Sequence, residues 1–328
     1  MLTLYIAEKK DIGTAIAAYL WPNGPKETNK TYIQGDDQTI VAWASGHLLR
    51  NAEPEEYDPA YKSWHNYHIY PAAYRYLPSK EANAKPLLDT LKRLLPKADV
   101  VVNAGDPDRE GQMLIDELLE YFKYKGTVKR ILINAKDDVS MKRAFDSIEE
   151  NEKYKPLYEA ALARNQADWL VGMNLTRAYT ESSRAYGHEG VFRIGRVVVP
   201  TLALVVRREA EIQHFKSINY YELLGKFTKD NISFTAKMVP NDTLPLDPDG
   251  RILDENVLQA VALKLQTAAA TVQTAEVKKG KTAPPLPHSL DTLQVLANKK
   301  HGYSPKEVLD TVEALYMKKY VSYPRSDC

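Results

Sequence analysis

The stretch VVVNAGDPDREGQ, residues 100–112, decides the fold. Its apolar start predicts a buried strand, and the residues after it predict the opening turn of a helix. Asp106, Asp108 and Glu110 stand at alternate positions on the turn between them. Alternate carboxylates at the carboxyl end of a strand can converge on one point, as the ligands of Mg²⁺ do. The stretch therefore predicts an α/β fold with a candidate metal site at the sheet edge.

The residues on either side of this stretch alternate apolar strands with helices, in the order that builds a parallel sheet covered by helices. The predicted strands are 2–8, 38–45, 98–105 and 128–134. The predicted helices are 12–21, 85–95, 111–122 and 140–148. Glu8 ends the first strand and Lys9 follows it. If the first and third predicted strands are neighbours, Glu8 faces the acidic trio.

Helix capping is the alternative interpretation of these acids. An aspartate before a helix is an ordinary N-cap, and acids in a first turn complement the helix dipole. Capping explains any single one of them. Four acids at two adjacent strand ends exceed what capping needs, because clustered like charges cost stability unless a cation or a proton relieves them. We therefore favour a metal site.

The second half of the chain predicts different layers. Helices are predicted at 154–179, 195–212, 291–302 and 304–320, and strands at 220–230, 232–239 and 271–281. A proline-rich linker precedes the last two helices, which a glycine turn joins and Ser304 caps. Residues 321–325 are predicted as the wing or exit strand of a helix-turn-helix or winged-helix unit. We predict four parts with these bounds: 1–152, 153–215, 216–280 and 281–328.

Composition narrows the class of protein. No apolar run approaches the roughly 18 residues of a membrane span, and the N-terminus lacks the pattern of a signal peptide, which predicts a cytoplasmic protein without membrane contact. The single cysteine, Cys328, excludes an internal disulfide framework, and no Cys/His cluster supports a zinc site. Basic residues outnumber acidic ones seven to three in 164–208 and nine to four in 277–325. These stretches could contact a polyanion, although a solvated helix surface is the better explanation of any charge run taken alone.

Several separated motifs together resemble the type IA DNA topoisomerases, most closely the bacterial topoisomerase III branch with its plasmid-borne members. They are IAEK (6–9), SGHLL (45–49), AEPEEYDPAYKSW (52–64), AGDPDREGQ (104–112), ALARNQADWLVGMNLTRAYT (161–180), IGRVVVPTLALVVRRE (194–209) and SYPRSD (322–327). The resemblance implies a Rossmann-like Toprim domain, then helical and β-rich arch segments, then the start of a winged-helix-like tyrosine domain. It covers essentially the whole chain.

The resemblance also implies a mechanism. Tyr323 would attack a DNA phosphate and form a 5′-phosphotyrosyl link, which stores the bond energy so that no ATP is needed. Arg325 and Lys9 would stabilise charge on the phosphate, and Glu8 would act as general acid/base. Mg²⁺ would be held by Glu8, Asp106 and Asp108, with Glu110 as a weaker third carboxylate of the trio.

The resemblance further implies a groove for single-stranded DNA, in which arginines contact phosphates and indoles stack on bases. The implied contacts are Trp64, Arg164, Asp168, Trp169, Arg177, Arg184, Arg193, Ile194, Gly195, Arg196, Val197 and Val198. Core packing explains the two tryptophans equally well. Val198 and Val199 replace the family's usual glutamine and threonine, which weakens the transfer of roles to this loop. The expected partners are single-stranded or negatively supercoiled DNA and a helicase, and the expected state is a monomer.

The family's polypeptide continues well beyond the tyrosine. We therefore expect these 328 residues to be an N-terminal portion that forms an incomplete torus and does not relax DNA alone. A non-catalytic single-strand binding remnant is the alternative, and a Toprim primase or nuclease is a third. An open reading frame downstream of the Cys328 codon would support the first expectation.

Overall fold

The structure is a computed structural model that describes residues 1–65, 68–71, 73–241 and 243–324. In chain order the strands are β1 (Thr3–Ala7), β2 (Glu27–Thr28), β3 (Tyr32–Gln34), β4 (Thr39–Trp43), β5 (Leu49–Asn51), β6 (Tyr76–Pro78), β7 (Val100–Ala104), β8 (Thr127–Arg130), β9 (Glu149–Glu150), β10 (Leu224–Lys229) and β11 (Ile232–Lys237). The helices are α1 (Lys10–Leu20), α2 (Pro54–Tyr57), α3 (Ala84–Leu94), α4 (Arg109–Tyr121), α5 (Asp138–Asp146), α6 (Lys155–Arg184), α7 (Val198–Gln213), α8 (Glu255–Leu265), α9 (Leu290–His301) and α10 (Pro305–Met317).

The main sheet has seven strands in the order β2-β3-β4-β1-β7-β8-β9. Its centre, from β4 to β8, is parallel, and the outer strands are antiparallel. β1 pairs with β7 in register, so that Ala7 lies opposite Ala104. The predicted neighbourhood of the first and third apolar strands is therefore confirmed. This pairing places the ends of β1 and β7 at the same edge of the sheet.

The core of this sheet forms because its central strands are apolar on both faces, as strands covered by helices on each side must be. Leu4, Ile6, Val41 and Val101 are fully buried. α3 buries one face and shows the strongest separation of apolar from charged side chains, whereas every residue of α4 from Gly111 to Leu119 is buried. The amphipathic pattern that predicted α3 thus reflects its packing on the sheet.

The chain divides into two compact units. Unit 1 contains residues 1–200 and 286–328, and unit 2 contains 201–285. Unit 1 holds the seven-stranded sheet, α6 and the pair α9–α10, and unit 2 holds the β10–β11 hairpin and α8. The finer division into four parts stays a prediction. Within the described residues, no helix has the length and apolar character needed to cross a membrane.

The helix pair predicted near the end of the chain is confirmed. α9 ends at Gly302, whose φ of 73° lies in the left-handed region, and α10 begins with a capping box between Ser304 and Glu307. The glycine permits the reversal because it carries no Cβ.

Two predicted strands are wrong. Residues 271–281 contain no strand, and no strand of the described residues pairs with them. The described part of the predicted exit strand, 321–324, is also irregular. There the Tyr323 N–H donates to the Asn134 carbonyl, in the loop between β8 and α5, at 2.8 Å. A hydrogen bond to a loop carbonyl, and not strand pairing, therefore holds residues 321–324.

Candidate active site

The carboxyl edge of β1 and β7 brings the predicted acids together. Glu8 follows β1 directly, and Asp106 follows β7 after one glycine. The Asp106 N–H donates to Glu8 Oε2 at 3.2 Å. Lys9 Nζ lies 2.7 Å from Asp106 Oδ2 and 3.6 Å from Glu8 Oε1. The ammonium of Lys9 thus lies close to both carboxylates.

The environment of Glu8 suits a proton donor. Burial raises its pKa, and the nearby Asp106 and Asp108 raise it further, while Lys9 and the Asp106 N–H oppose the shift. A carboxyl group whose pKa is raised keeps its proton at a higher pH than an ordinary glutamate does. Such a group can protonate a leaving oxygen.

Asp108 has one role in folding and one in the site. As N-cap of α4, it accepts the Gly111 N–H with Oδ1 at 2.7 Å. Its other oxygen, Oδ2, accepts the Tyr323 hydroxyl at 3.1 Å. Asp108 therefore caps α4 and contacts Tyr323 at the same time, and its role as a metal ligand stays a prediction.

The turn from Gly105 to Gly111 requires both glycines. A Cβ at Gly105 would lie 2.1 Å from the Gly111 carbonyl oxygen. A Cβ at Gly111 would lie 2.4 Å from both the backbone N and the backbone O of Asp106. Backbone atoms cannot move away as a flexible side chain can, so this tight turn is open only to glycine at these positions.

Tyr323 is buried, with 7% of its surface exposed. Its ring meets the Tyr316 ring edge-on at 5.8 Å, and Lys9 Nζ lies 6.0 Å from its ring centre. Burial, followed by the charges of Asp106 and Asp108, raises the pKa of Tyr323 well above that of a free phenol. The hydroxyl is therefore protonated and directed at the acids. Arg325 lies outside the described residues.

Arg130 was not predicted as a site residue, yet it holds the backbone of the turn that begins at Gly105. Its guanidinium is fully buried and donates to the carbonyls of Gly105 and Asp106, each at 2.7 Å. Burial lowers the pKa of Arg130 to about 10, which leaves it charged at neutral pH. An arginine inside the apolar run 128–133 is the signal that could have identified it.

The oxygen atoms of Glu8, Asp106 and Asp108 are the donor type that a hard cation takes. Two of these acids already lie beside a cation, the Lys9 ammonium, which supports the fit of a positive ion there. Glu110 points elsewhere and pairs with Arg164 of α6. In the part of the chain that the structure describes, no group of three or more Asp, Glu, His or Cys side chains is arranged around one metal position.

A polar cavity of about 340 Å³ adjoins this edge. It is lined by Asn51, Glu110, Arg164, Asn165, Asp168, Trp169 and Arg196. Four of the predicted DNA contacts, Arg164, Asp168, Trp169 and Arg196, are thus brought together. Arg196 Nε donates to both carboxylate oxygens of Asp168, at 2.9 and 3.1 Å. The two asparagines were missed, because isolated amides in a sequence carry no pattern.

The two tryptophans differ. Trp169 is buried and meets the rings of Tyr57 and Tyr74 edge-on, at 5.6 and 5.8 Å, so core packing accounts for most of its surface. Trp64 is half-buried and has the guanidinium groups of Arg177 and Arg184 at 5.6 and 5.8 Å from its ring. Guanidinium groups over an indole face are typical of cation–π contacts.

The predicted loop 193–198 is fastened to α6. The Ile194 N–H donates to Thr176 Oγ1 at 3.0 Å. Gly195 is half-buried, and the other members of the loop, Arg193, Arg196, Val197 and Val198, are exposed. Their exposure leaves one cationic and two apolar side chains open beside the Arg196–Asp168 pair.

The parallel sheet with its acidic carboxyl edge is the architecture of a Toprim-containing protein. The Toprim domain model matches residues 3–136, and the model described as DNA topoisomerase matches residues 152–328, more than half of the chain. The chain therefore belongs to the DNA topoisomerase family, and the predicted type IA, topoisomerase III resemblance is confirmed.

Individual relatives agree with this placement. The chain is 39% identical to DNA topoisomerase 3 of Vibrio cholerae and 38% identical to that of Haemophilus influenzae, in both cases over 100% of this chain and 52% of the relative. Full-length topoisomerase I of Thermotoga maritima superposes with a TM-score of 0.60 at 20% identity, over 99% of this chain and 49% of that one, which shows a shared fold. The chain spans about half the length of the curated relatives it matches.

Proposed function

We propose that this protein is an ATP-independent type IA DNA topoisomerase that cleaves and rejoins one DNA strand through Tyr323. The observation that carries the proposal is the Tyr323 hydroxyl, 3.1 Å from Asp108 Oδ2 and beside the cluster of Glu8, Lys9 and Asp106. This arrangement supports the proposed roles of Tyr323 as nucleophile, Asp108 as proton acceptor and Glu8 as proton donor.

In the proposed reaction, the Tyr323 oxygen attacks phosphorus while its proton passes to Asp108 Oδ2. The new O–P bond forms as the bond from phosphorus to the 3′-oxygen breaks, and protonated Glu8 supplies the proton that this oxygen takes up. Lys9 and Arg325 offset the added negative charge on the phosphate. Religation is the reverse, with the 3′-hydroxyl as nucleophile and the tyrosine as leaving group.

Magnesium is proposed at Glu8, Asp106 and Asp108. When bound, the ion supplies positive charge that positions the phosphodiester. The Lys9 ammonium would then shift from Asp106 toward the phosphate. Glu110 is better supported as a structural partner of Arg164 than as a ligand.

The proposed substrate is a single-stranded segment of negatively supercoiled DNA, held by the residues of the polar cavity and by Trp64 and Arg184. Arg177 is 5% exposed and donates to the Tyr61 carbonyl at 2.5 Å, so it supports Trp64 rather than the strand. Relaxation and decatenation by the whole protein, a helicase partner, a monomeric state and a cytoplasmic location belong to the same proposal. Arginine side chains can contact the phosphates of such a strand, and an indole can stack on its unpaired bases.

A 3′-labelled single-stranded oligonucleotide tests the proposal. Incubation with Mg²⁺ followed by denaturation should leave label attached to the wild-type protein and none attached to Tyr323→Phe. Tyr320→Phe is the matched control, because Tyr320 is 75% exposed and lies outside the site, and it should form the adduct. An adduct that survives in Tyr323→Phe would contradict the assignment of the nucleophile.

A non-catalytic single-strand binding protein is the second candidate, favoured by the burial of Tyr323 against the acids. Binding of the oligonucleotide that weakens steeply with salt, without any adduct, would support this candidate over the topoisomerase. Loss of supercoils from a plasmid in the presence of Mg²⁺ would reject it.

A further inference from the structure

The loop between β8 and α5 contacts the end of α10. Lys136 of this loop places its ammonium 4.6 Å from the centre of the Tyr316 ring, and its Nζ donates to the Met317 sulfur at 3.1 Å. Asn134 of the same loop accepts the Tyr323 N–H. One loop therefore contacts the segment that carries Tyr323 twice, through the side chain of Lys136 and through the main chain of Asn134.

Tyr316 is the side chain that fixes this end of α10. The buried side chains of the helix are Val308 and Tyr316, and Val308 lies near its start. The Tyr316 hydroxyl has no hydrogen-bond partner within the described residues, so the ring and not the hydroxyl holds it. A cavity of about 310 Å³ beside Met317 and Lys319 separates part of this end from α1 and α5. The position of Tyr316 thus depends on what contacts its ring.

The ammonium of Lys136 is buried without a paired anion. Lys136 is 5% exposed, and in the part of the chain that the structure describes it forms no ion pair with a carboxylate. Burial lowers its pKa, and the charges of Asp11 and Asp106 oppose that shift. A methionine or a leucine would fill the same place without the cost of burying a charge. What a lysine adds at this position is the contact of a cation with the Tyr316 ring.

We propose that Lys136 is a positioning residue for the nucleophile, because its ammonium holds the Tyr316 ring and that ring holds Tyr323 at the acidic edge. The two tyrosine rings meet edge-on with their centres 5.8 Å apart. A displaced Tyr316 therefore moves the Tyr323 hydroxyl, which faces Asp108 Oδ2. The effect on the reaction rests on the proposed function, since it requires Tyr323 to be the nucleophile. A nucleophile reacts fast only when it is held in line with the phosphorus atom.

Hydrogen exchange of residues 316–324, measured on the whole chain without DNA, tests the first step. Lys136→Met keeps an unbranched apolar stem and removes the cation, so the Tyr323 amide should exchange about tenfold faster. The temperature of thermal unfolding should not fall, because the cost of burying the ammonium disappears as well. Lys136→Arg keeps a cation that binds ring faces, has the adjoining cavity for its extra volume, and should restore slow exchange. Lys142→Met, at an exposed lysine of α5, is the matched control and should exchange as the wild type does.

Two replacements of Tyr316 show whether the effect passes through its ring. Tyr316→Phe keeps the ring and removes a hydroxyl that has no partner within the described residues, so exchange should stay slow. Tyr316→Leu removes the ring, and adding Lys136→Met to it should accelerate exchange no further. Effects of the two replacements that multiply as independent ones would overturn the path from Lys136 through Tyr316.

Adduct formation with a 3′-labelled single-stranded oligonucleotide and Mg²⁺ tests the second step. At saturating oligonucleotide, Lys136→Met should form the adduct about tenfold more slowly than the wild type. Its affinity for the oligonucleotide, measured by fluorescence anisotropy, should stay unchanged, because the residue positions the nucleophile and does not touch the strand. Lys136→Arg should recover most of the rate.

Wild-type exchange in Lys136→Met, or exchange in Lys136→Arg as fast as in Lys136→Met, overturns the positioning role. A wild-type rate of adduct formation in Lys136→Met overturns it too, and so does a loss of affinity equal to the loss of rate, which would make Lys136 a DNA contact. A wild-type protein that forms no adduct contradicts the proposed function instead. The exchange of residues 316–324 then still decides whether Lys136 holds the tyrosine.

Discussion

Units 1 and 2 differ in how much apolar surface they bury. Unit 1 buries an extensive apolar core around its sheet, and the same core includes Tyr323. Among the described residues of unit 2, only Ile252 and Leu258 are buried, while large side chains such as Leu204 and Phe234 are exposed. Each fully buried large apolar side chain stabilises by roughly 1.5–3 kcal/mol. Unit 1 therefore has the interactions to hold a site rigid, and unit 2 should open locally at much lower free energy.

Removing the buried guanidinium of unit 1 should give the largest effect. Arg130→Met removes the side-chain donor of the Gly105 carbonyl and leaves the Asp106 carbonyl with the Asp108 N–H alone, and we expect a loss of about 3–5 kcal/mol. Hydrogen exchange of β7 should accelerate accordingly. Arg251→Met in unit 2 is the matched control, because the partly exposed Arg251 pairs with Asp247 and Asp249 of its own unit and its loss should leave β7 exchange unchanged. Unchanged exchange in Arg130→Met would contradict the role given to this residue.

The next largest difference should be in the stability lost when an aromatic side chain of each unit is replaced by alanine. Trp169→Ala empties the cluster with Tyr57 and Tyr74 and should cost about 3–5 kcal/mol. Phe234 stacks on Phe227 at 5.5 Å but remains 53% exposed, so Phe234→Ala should cost less than about 1 kcal/mol. Urea unfolding followed by circular dichroism measures both. Equal losses would remove the distinction drawn between the units.

The smallest difference between the units should be in how their arginine–carboxylate contacts titrate at low pH. The Arg50 guanidinium, with the Glu53 N–H, lowers the pKa of Glu56 in unit 1 to about 2, and Arg251 lowers the pKa of Asp247 in unit 2. Both pKa values are depressed, so both contacts stabilise fully above the unfolded pKa near 4 and lose their effect as the pH falls through the folded pKa. NMR titration of the carboxyl carbons should show both midpoints below 4. A Glu56 midpoint at its ordinary value would mean that the Arg50 contact does not persist in solution.

Sequence patterns predicted the central fold because the apolar strands are recognisable from short segments. Strands that alternate with helices then pair in parallel. The prediction that Glu8 lies close to Asp106 required only that β1 and β7 be adjacent in the sheet. Glu110 does not join the other acids, because the first turn of α4 directs it to Arg164. That contact depends on how α4 packs on α6, which the sequence pattern does not reveal. Arg130 was missed for a similar reason, since its carbonyl partners lie 24 and 25 positions earlier in the chain.

The link between the Tyr323 N–H and the Asn134 carbonyl belongs to the main chain. Any residue other than proline at position 323 can donate it, and any residue at 134 can accept it. The backbone position of residue 323 is thus held by a bond that does not depend on the hydroxyl of its side chain. Because the ring is also buried in the core against Tyr316, Tyr323→Phe is the clean chemical probe: it removes the hydroxyl and keeps both the ring packing and the backbone bond.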